Sequence, residues 1–583
     1  MISYLGQLGR VANLRIASSS FDGESQVGAF VGCSHGVIEN CETGKTVSVT
    51  ATLSQTGGST SGNEAGGIAG RAFPSAKFID CVSRARVSAN KMAGGIVGGS
   101  RDELGTMISG CVNEGEVVAN APRETVIQGG QEINRSVEAM AGGIAGRFTG
   151  SITRSVNRGS VSTSVCDAVG GIVGKAFIHT EINRCINEGN VTTANSYAGG
   201  IVGISTVMTG TEVHTLIDSC VNYGTVKGIS SVGGIAGVGA NGLRVTASAN
   251  CGTISPMMGR AGGIVGEISR QVEIFDSYNT GEITASMLAG GIAGDAPTGS
   301  KLTVKRCFNA GAVRSGANGG ASGIVNSTGG TNIVADCYNR GDIASARFAA
   351  GIAGRADGLT IERCYSAANV QCTSANSTNL GTIGSIIGDI KAADNVISCC
   401  YLKPAEALSA DSYIPRAKAM SVAEIASGES VLGESYIYNP VCMPMLRTLA
   451  SADAAKANAV YFVATDASAT PSAGNPVQLG QLEGVVWSVS GDASLDGDKA
   501  VPSGIDGSML ITATAGDFSR SYEIGFGSRD GIADIFDDDG TVIAEVTYHT
   551  MDGRLVKSPA KGDILVRTVI MTDGRRHSEV IVY

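Results

Sequence analysis

The chain has little charge, few aromatic rings and almost no tryptophan. Asp, Glu, Lys and Arg make up 16% of its 583 residues and Phe, Trp and Tyr 5%, with one Trp and five His. Soluble domains average about 25% charged residues. Lys plus Arg number 43 against 53 Asp plus Glu, so there is no basic excess of the kind that holds a nucleic-acid backbone. No stretch approaches the ~18 uncharged apolar residues of a membrane-spanning helix. Residues 1–10 lack the basic start and apolar stretch of a signal peptide. Proline is scarce at 12 residues, and glycine and proline together stay well under the ~25–30% that marks disordered, low-complexity chains.

What is abundant is glycine, 83 residues against an apolar fraction of 43%. It does not fall at every third position, which excludes collagen. It follows a longer period. Ala-Gly-Gly-Ile-x-Gly, then after a variable gap Ile-x-x-Cys-x-Asn-x-Gly-x-Val, recurs about twelve times between Val27 and Tyr401. The Ile of the first half falls at 68, 96, 144, 172, 201, 235, 264, 292, 324 and 352. The commonest step between these is 28 residues, and longer steps are insertions, the largest spanning 119–140. Such a unit, with short β-branched runs ended by Gly or Asn-x-Gly, cannot bury its apolar side alone. Stacked units can, with like residues in columns ~4.8 Å apart. The expected fold is all-β: a parallel β-solenoid, right-handed β-helix-like, of about twelve coils and some 55–60 Å. Interior glycine, costing ~1 kcal/mol relative to Ala, argues against helical repeats.

The columns read directly. One holds Cys41, Cys81, Cys111, Ser155, Cys185, Cys220, Ser248, Ser277, Cys307, Cys337, Cys364 and Cys400. Cys and Ser interchange as small inward side chains would, and the rung spacing exceeds disulfide Cβ separation, so these thiols are expected reduced. No His joins the column, so no zinc site is expected. Two residues on runs Asn113, Asn157, Asn187, Asn222, Asn250, Asn279, Asn309 and Asn339. Asn tolerates left-handed turns, and stacked amides can bond from rung to rung. The following Gly115, Gly189 and Gly341 suggest a turn at positive φ. The residue before the Cys position alternates as Asp276, Arg306, Asp336 and Arg363, the pattern of an opposite-charge ladder. The residue after it becomes aromatic at Tyr278, Phe308, Tyr338, Tyr365 and Tyr401. That column is expected buried; exposed, it would be the candidate sugar-binding surface.

No chemistry-bearing constellation recurs. Gly-Gly-Ile-x-Gly lacks the Lys-Ser/Thr and the βα setting of a phosphate loop. Glu267 and Asp295 share a repeat position on adjacent coils and could sit as close as a retaining glycosidase pair, but Arg71, Arg147, Lys175 and Arg355 occupy the same column. Surface charge is the better account. Asp537-Asp538-Asp539-Gly540 fails as an EF-hand, since Ile535 and Val546 stand where ligands belong. No cofactor and no catalytic residue are expected.

The double motif, Ala-Gly-Gly-Ile-x-Gly followed by Ile-x-x-Cys-x-Asn-x-Gly-x-Val, resembles the GLUG-repeat proteins of gut and oral bacterial surfaces, over about two thirds of the chain. The resemblance implies a secreted or surface-displayed, adhesin-like solenoid. Some relatives append a zinc peptidase, but no His-Glu-x-x-His exists here. The expected partners are host or microbial glycans or surface proteins, met by a monomer, with a β-helix lyase or glycoside hydrolase as the alternative.

The domain reading is 1–402 solenoid, 403–454 cap or linker, 455–529 an immunoglobulin-like β domain around Trp487, and 530–583 more strands. These last strands resemble the C-terminal sorting domain of Bacteroidota secreted proteins. Because residues 4–14 read as half a coil already under way, the chain is expected to extend upstream, where an export signal would lie.

Overall fold

The computed structural model describes the chain outside residues 53–62, 101–104, 121–122, 129–130, 137, 164–167, 195–196, 207–214, 241, 317–318, 373–381, 391–394, 404–407, 409–416, 440–441, 461, 465–470, 527–542, 551–554, 557–563, 572–575 and 583. It divides into two units, one formed by Met1–Tyr436 with Leu446–Leu449 and the other by Ile437–Met445 with Ala450–Tyr583.

The first unit is a parallel β-solenoid. One coil shows the plan: segment one is Leu288–Gly290, segment two Ala293–Ala296, segment three Lys301–Lys305, segment four Phe308–Asn309 and segment five Val313–Ser315. Each pairs in parallel with its counterparts on neighbouring coils, as Ala289 does with Ala321 and Val304 with Val334. Segment one forms a stack of twelve strands, so eleven steps separate first from last. Segments two and three fuse in Ala145–Thr153 and Val173–Asn183, and segments four and five in Glu42–Ala51.

Alternation sets what faces inward. In segment three, Leu302 and Val304 are buried while the residues between them reach the surface, the period-2 pattern of a half-buried strand. The last two residues of segment one are buried, its first buried or half-buried, because segment two doubles back against it. A Cβ on Gly142 would lie 1.9 Å from the Ala145 carbonyl oxygen, and one on Gly143 2.1 Å from that of Gly171. Glycine therefore holds this place on most coils, with Ser322 and Ala350 in the Gly142 position on two later ones. The Ile at the reversal is fully buried, and its amide bonds the Ile of the next coil, as Ile144 N–H does to Ile172 O at 2.9 Å.

The turn glycines are not at positive φ. A Cβ on Gly115, Gly189 or Gly341 would instead lie 1.9–2.0 Å from a carbonyl oxygen of the neighbouring coil, so close approach is the reason for glycine. The left-handed residue is the one before the Cys position: Asp80, Arg154, Ser219, Asp276, Arg306, Asp336 and Arg363 have φ between 49° and 55°. The ladder asparagines are not left-handed either; their amides explain them.

Beyond the last full coil, Ala417–Met420 pairs in parallel with Cys399–Leu402. A short helix, Val422–Ala426, follows with a capping box in which Ser421 Oγ accepts from Glu424 N–H and the Glu424 carboxylate from Ser421 N–H. The second unit holds small antiparallel sheets. Val486–Gly491, Gly507–Ala515 and Phe518–Phe526 form one, and the buried Trp487 donates its indole N–H to Gly480 O at 2.8 Å. Ile543–Thr550, Leu555–Val556, Ile564–Met571 and Arg576–Val582 form another. Asp537 to Gly540 lie outside the described residues.

Candidate functional site

The repeated polar columns are internal. All eight ladder asparagines are fully buried. Each Nδ2 donates to the carbonyl two residues on, and each of the first seven also donates to Oδ1 of the next asparagine at 2.7–2.8 Å, from Asn113 through Asn157, Asn187, Asn222, Asn250, Asn279 and Asn309 to Asn339. The ladder is a satisfied buried network, which fixes register along the axis.

The Cys column is also inward, with Cys111, Cys185, Cys220, Cys307, Cys337 and Cys364 buried. Its side chains do more than fill space. Cys220 Sγ accepts the backbone N–H of Cys185 at 3.4 Å and donates to Asp218 O, while Ser155 Oγ accepts from Cys111 N–H at 3.2 Å and donates to Thr153 O. A thiol and a hydroxyl can both play this part, which explains the interchange. Burial holds the thiols of Cys337 and Cys364 well above their ordinary pKa, and a hydrogen bond to Cys111 with burial pushes Cys81 up to about 12. The last member is Cys399 rather than Cys400, because Tyr365 pairs in register with Cys400.

That shift removes Tyr401 from the aromatic column. The remaining rings, Tyr278, Phe308, Tyr338 and Tyr365, stack at 4.9–5.0 Å with planes parallel within 4°. Phe308, Tyr338 and Tyr365 are at most 2% exposed. They point away from the solenoid interior, yet Tyr436 returns to cover them, its ring 5.9 Å from Tyr365 and its hydroxyl donating to Cys337 O and Arg363 O. Rings stacked on one another also offer no free face to a sugar. The column is packing, and Val82, Val112, Val156 and Val221 hold the same place on earlier coils, all half-buried.

Glu267 and Asp295 are register neighbours. One guanidinium serves both: Arg260 lies 3.1 Å from Glu267 Oε2 and 2.6 Å from Asp295 Oδ2, and Ser231 Oγ donates to Glu267 at 2.5 Å. Burial raises the Asp295 pKa, with Arg260 opposing it. The expected charge ladder is present, Arg306 forking onto Asp276 and Arg363 onto Asp336 at 2.6–3.0 Å. A second, on the face of Glu42, Arg84, Glu114, Arg158 and Glu188, runs unbroken over five coils; the alternating signs of the last four are legible three residues after the Cys position, whereas Glu42 stands one residue after Cys41.

The variable surface lies elsewhere. Two residues separate segment one from two on every coil and three from four on all but the last, where Ser398 stands alone, and three separate four from five wherever the Asn ladder runs. The large changes of length fall at the corner from five to one, from two residues (Ala89 to Met92) to twenty (Ala119 to Met140), and at the corner from two to three, from none where those segments fuse to nine (Ser205 to Thr215). The longest insertion contains a hairpin, Arg123–Gln128 against Gln131–Ser136. The two-to-three corner carries His35 stacked on Phe73 at 4.5 Å, and Phe177 beneath Arg147. Among the described residues no group of three or more His, Cys, Asp or Glu could hold a metal ion, and no helix is long and apolar enough to cross a membrane. Comparison with protein-family models, curated proteins and solved structures finds no match.

Proposed function

We propose that the chain is a non-enzymatic display scaffold, an adhesin of the GLUG-repeat type exported to a bacterial surface, which holds variable corners on a rigid β-solenoid to bind host or microbial glycans or surface proteins. The observation that carries this reading is where length varies. Three corners of every regular coil are fixed by a buried Ile, a hydrogen-bonded Cys or Ser, and an Asn ladder, while the other two accept from none to twenty residues. Backbone that runs over the surface tolerates insertion and carries recognition, so a fold that confines variation to two edges supports binding along those edges.

The hydrolase alternative draws less support. A general acid and a nucleophile need separate environments, whereas Glu267 and Asp295 share one arginine. The test is binding of the purified chain to a glycan array and to host and bacterial cells, with reducing-end release assayed in parallel. Saturable binding without release is expected. Polysaccharide cleavage that disappears in Glu267→Gln or Asp295→Asn would overturn the proposal.

A further inference from the structure

Arg147 and Lys175 occupy the same position on adjacent coils, paired in register within the strands Ala145–Thr153 and Val173–Asn183. Like charges placed directly opposite repel, and this pair is the one place in that column where two cations stand on consecutive coils. Both turn toward one ring: the Arg147 guanidinium carbon is 4.0 Å and Lys175 Nζ 5.4 Å from the centre of Phe177. The carboxylate of Glu138, at the foot of the longest insertion, pairs with Lys175 and is itself half exposed.

The backbone places that ring. Lys175 and Phe177, two residues apart on one strand, share a face. The strand then bulges, since Phe148 pairs with Ala176 but Gly150 with Thr180, which inserts two residues ending at His179. His179 is exposed with φ +55°, and Thr180 Oγ1 ties the bulge by donating to Phe148 O and Phe177 O at 2.9 and 2.7 Å. Bulges of this kind re-aim side chains. Here one sets an aromatic ring beside two cations at a variable corner.

We infer that Arg147, Lys175 and Phe177 form a binding site for an acidic pyranose, the carboxylate of a uronic-type sugar meeting the two cations and its ring carbons lying against Phe177. A guanidinium and an ammonium one rung apart suit the two oxygens of a carboxylate. The ring adds an apolar contact that a bare anion would not use and a pyranose would. Glu138 is the exchangeable counter-ion that the ligand displaces. This inference deepens the adhesin reading and rests on it.

The experiment is calorimetric titration of the full chain with three probes: an oligogalacturonate, a neutral oligosaccharide of the same length, and polyglutamate. The oligogalacturonate is expected to bind saturably and to weaken as salt rises, with the neutral sugar silent and polyglutamate at least about tenfold weaker. Arg147→Gln and Lys175→Gln should each weaken it about tenfold or more, and Phe177→Ala should weaken the oligogalacturonate more than polyglutamate, all with melting temperatures near the parent's. No saturable oligogalacturonate binding, equal binding of polyglutamate, or unaltered affinity in folded variants would each overturn the site. If Arg147→Gln does not fold, Lys175→Gln and the salt dependence of the parent decide. Array binding that survives all three substitutions would sink this site while leaving the adhesin proposal standing.

Discussion

Replacing Asn222 by alanine removes one rung of the amide ladder, and the structure sets the cost. Asn222 Nδ2 donates to Gly224 O at 2.9 Å and to Asn250 Oδ1 at 2.8 Å, and its Oδ1 accepts from Asn187 Nδ2 at 2.8 Å. All three side chains are fully buried, so no water replaces the lost bonds. At the lower bound of about 1 kcal/mol for each buried group left without its partner, the substitution costs about 3 kcal/mol. The double variant Asn222→Ala with Asn250→Ala is more telling. It orphans four groups instead of the six that the single variants orphan between them, so its cost should be about 4 rather than about 6 kcal/mol, a coupling of about 2 kcal/mol. Guanidinium unfolding followed by circular dichroism measures all three. A single variant costing under about 1 kcal/mol, or additivity within about 0.5 kcal/mol, would refute the ladder as a continuous hydrogen-bonded network.

Cys220→Ser should be nearly neutral, since Ser155, Ser248 and Ser277 hold the same position, whereas Cys220→Ala orphans the buried Cys185 N–H and should cost about 1–3 kcal/mol; equal effects in denaturant titrations would return the column to simple packing. The thiols of Cys81 and Cys400 are raised to about 12 from an ordinary value near 9. The folded chain therefore holds their protons more tightly than the unfolded one, and stability should be flat up to about pH 9 and fall as pH rises toward 12; urea midpoints that rise across that window would contradict the assignment. Gly143→Ala, whose Cβ would lie 2.1 Å from Gly171 O, should cost at least about 1–3 kcal/mol, while Gly6→Ala, with nothing within 4 Å, should shift the melting temperature little. Tyr338→Ala should cost about 3–5 kcal/mol by opening a cavity between Phe308 and Tyr365, and a folded variant of unchanged melting temperature would show the ring to be solvent-facing.

The solenoid and its columns were legible because the repeat prints each position a dozen times, and stacking turns sequence identity into spatial adjacency. Roles within the turn were less so. Asn suits a left-handed backbone, yet that conformation falls on the residue before the Cys position, such as Asp80, Arg154 or Asp276, a position whose residue type varies from coil to coil. The reason for Gly115 lies on the preceding coil, in the Ala85 carbonyl oxygen that a Cβ would strike. Tyr401 was misplaced because Cys399 and Cys400 are adjacent, and only the register shows which one belongs to the column. The ring that covers Tyr365 comes from Tyr436, beyond the end of the repeat. The cluster of Arg147, Lys175 and Phe177 was half visible, as basic residues in one column; the bulge that aims Phe177 breaks the period and so escaped a periodic reading.

The most direct test of the scaffold is a pair of insertions compared by thermal unfolding. A flexible Gly-Ser segment of about ten residues would be placed between Ser286 and Met287, at the corner from segment five to one, and the same segment between Ala310 and Gly311, at the corner from four to five. Loop closure alone costs about 1–2 kcal/mol in either place, so the first variant should melt close to the parent. The second separates Asn309 from the Gly311 carbonyl it bonds at 2.8 Å and breaks the ladder, so it should unfold far earlier. Equal tolerance at both corners, or collapse at both, would contradict the claim that this chain confines variation to two edges of a rigid stack.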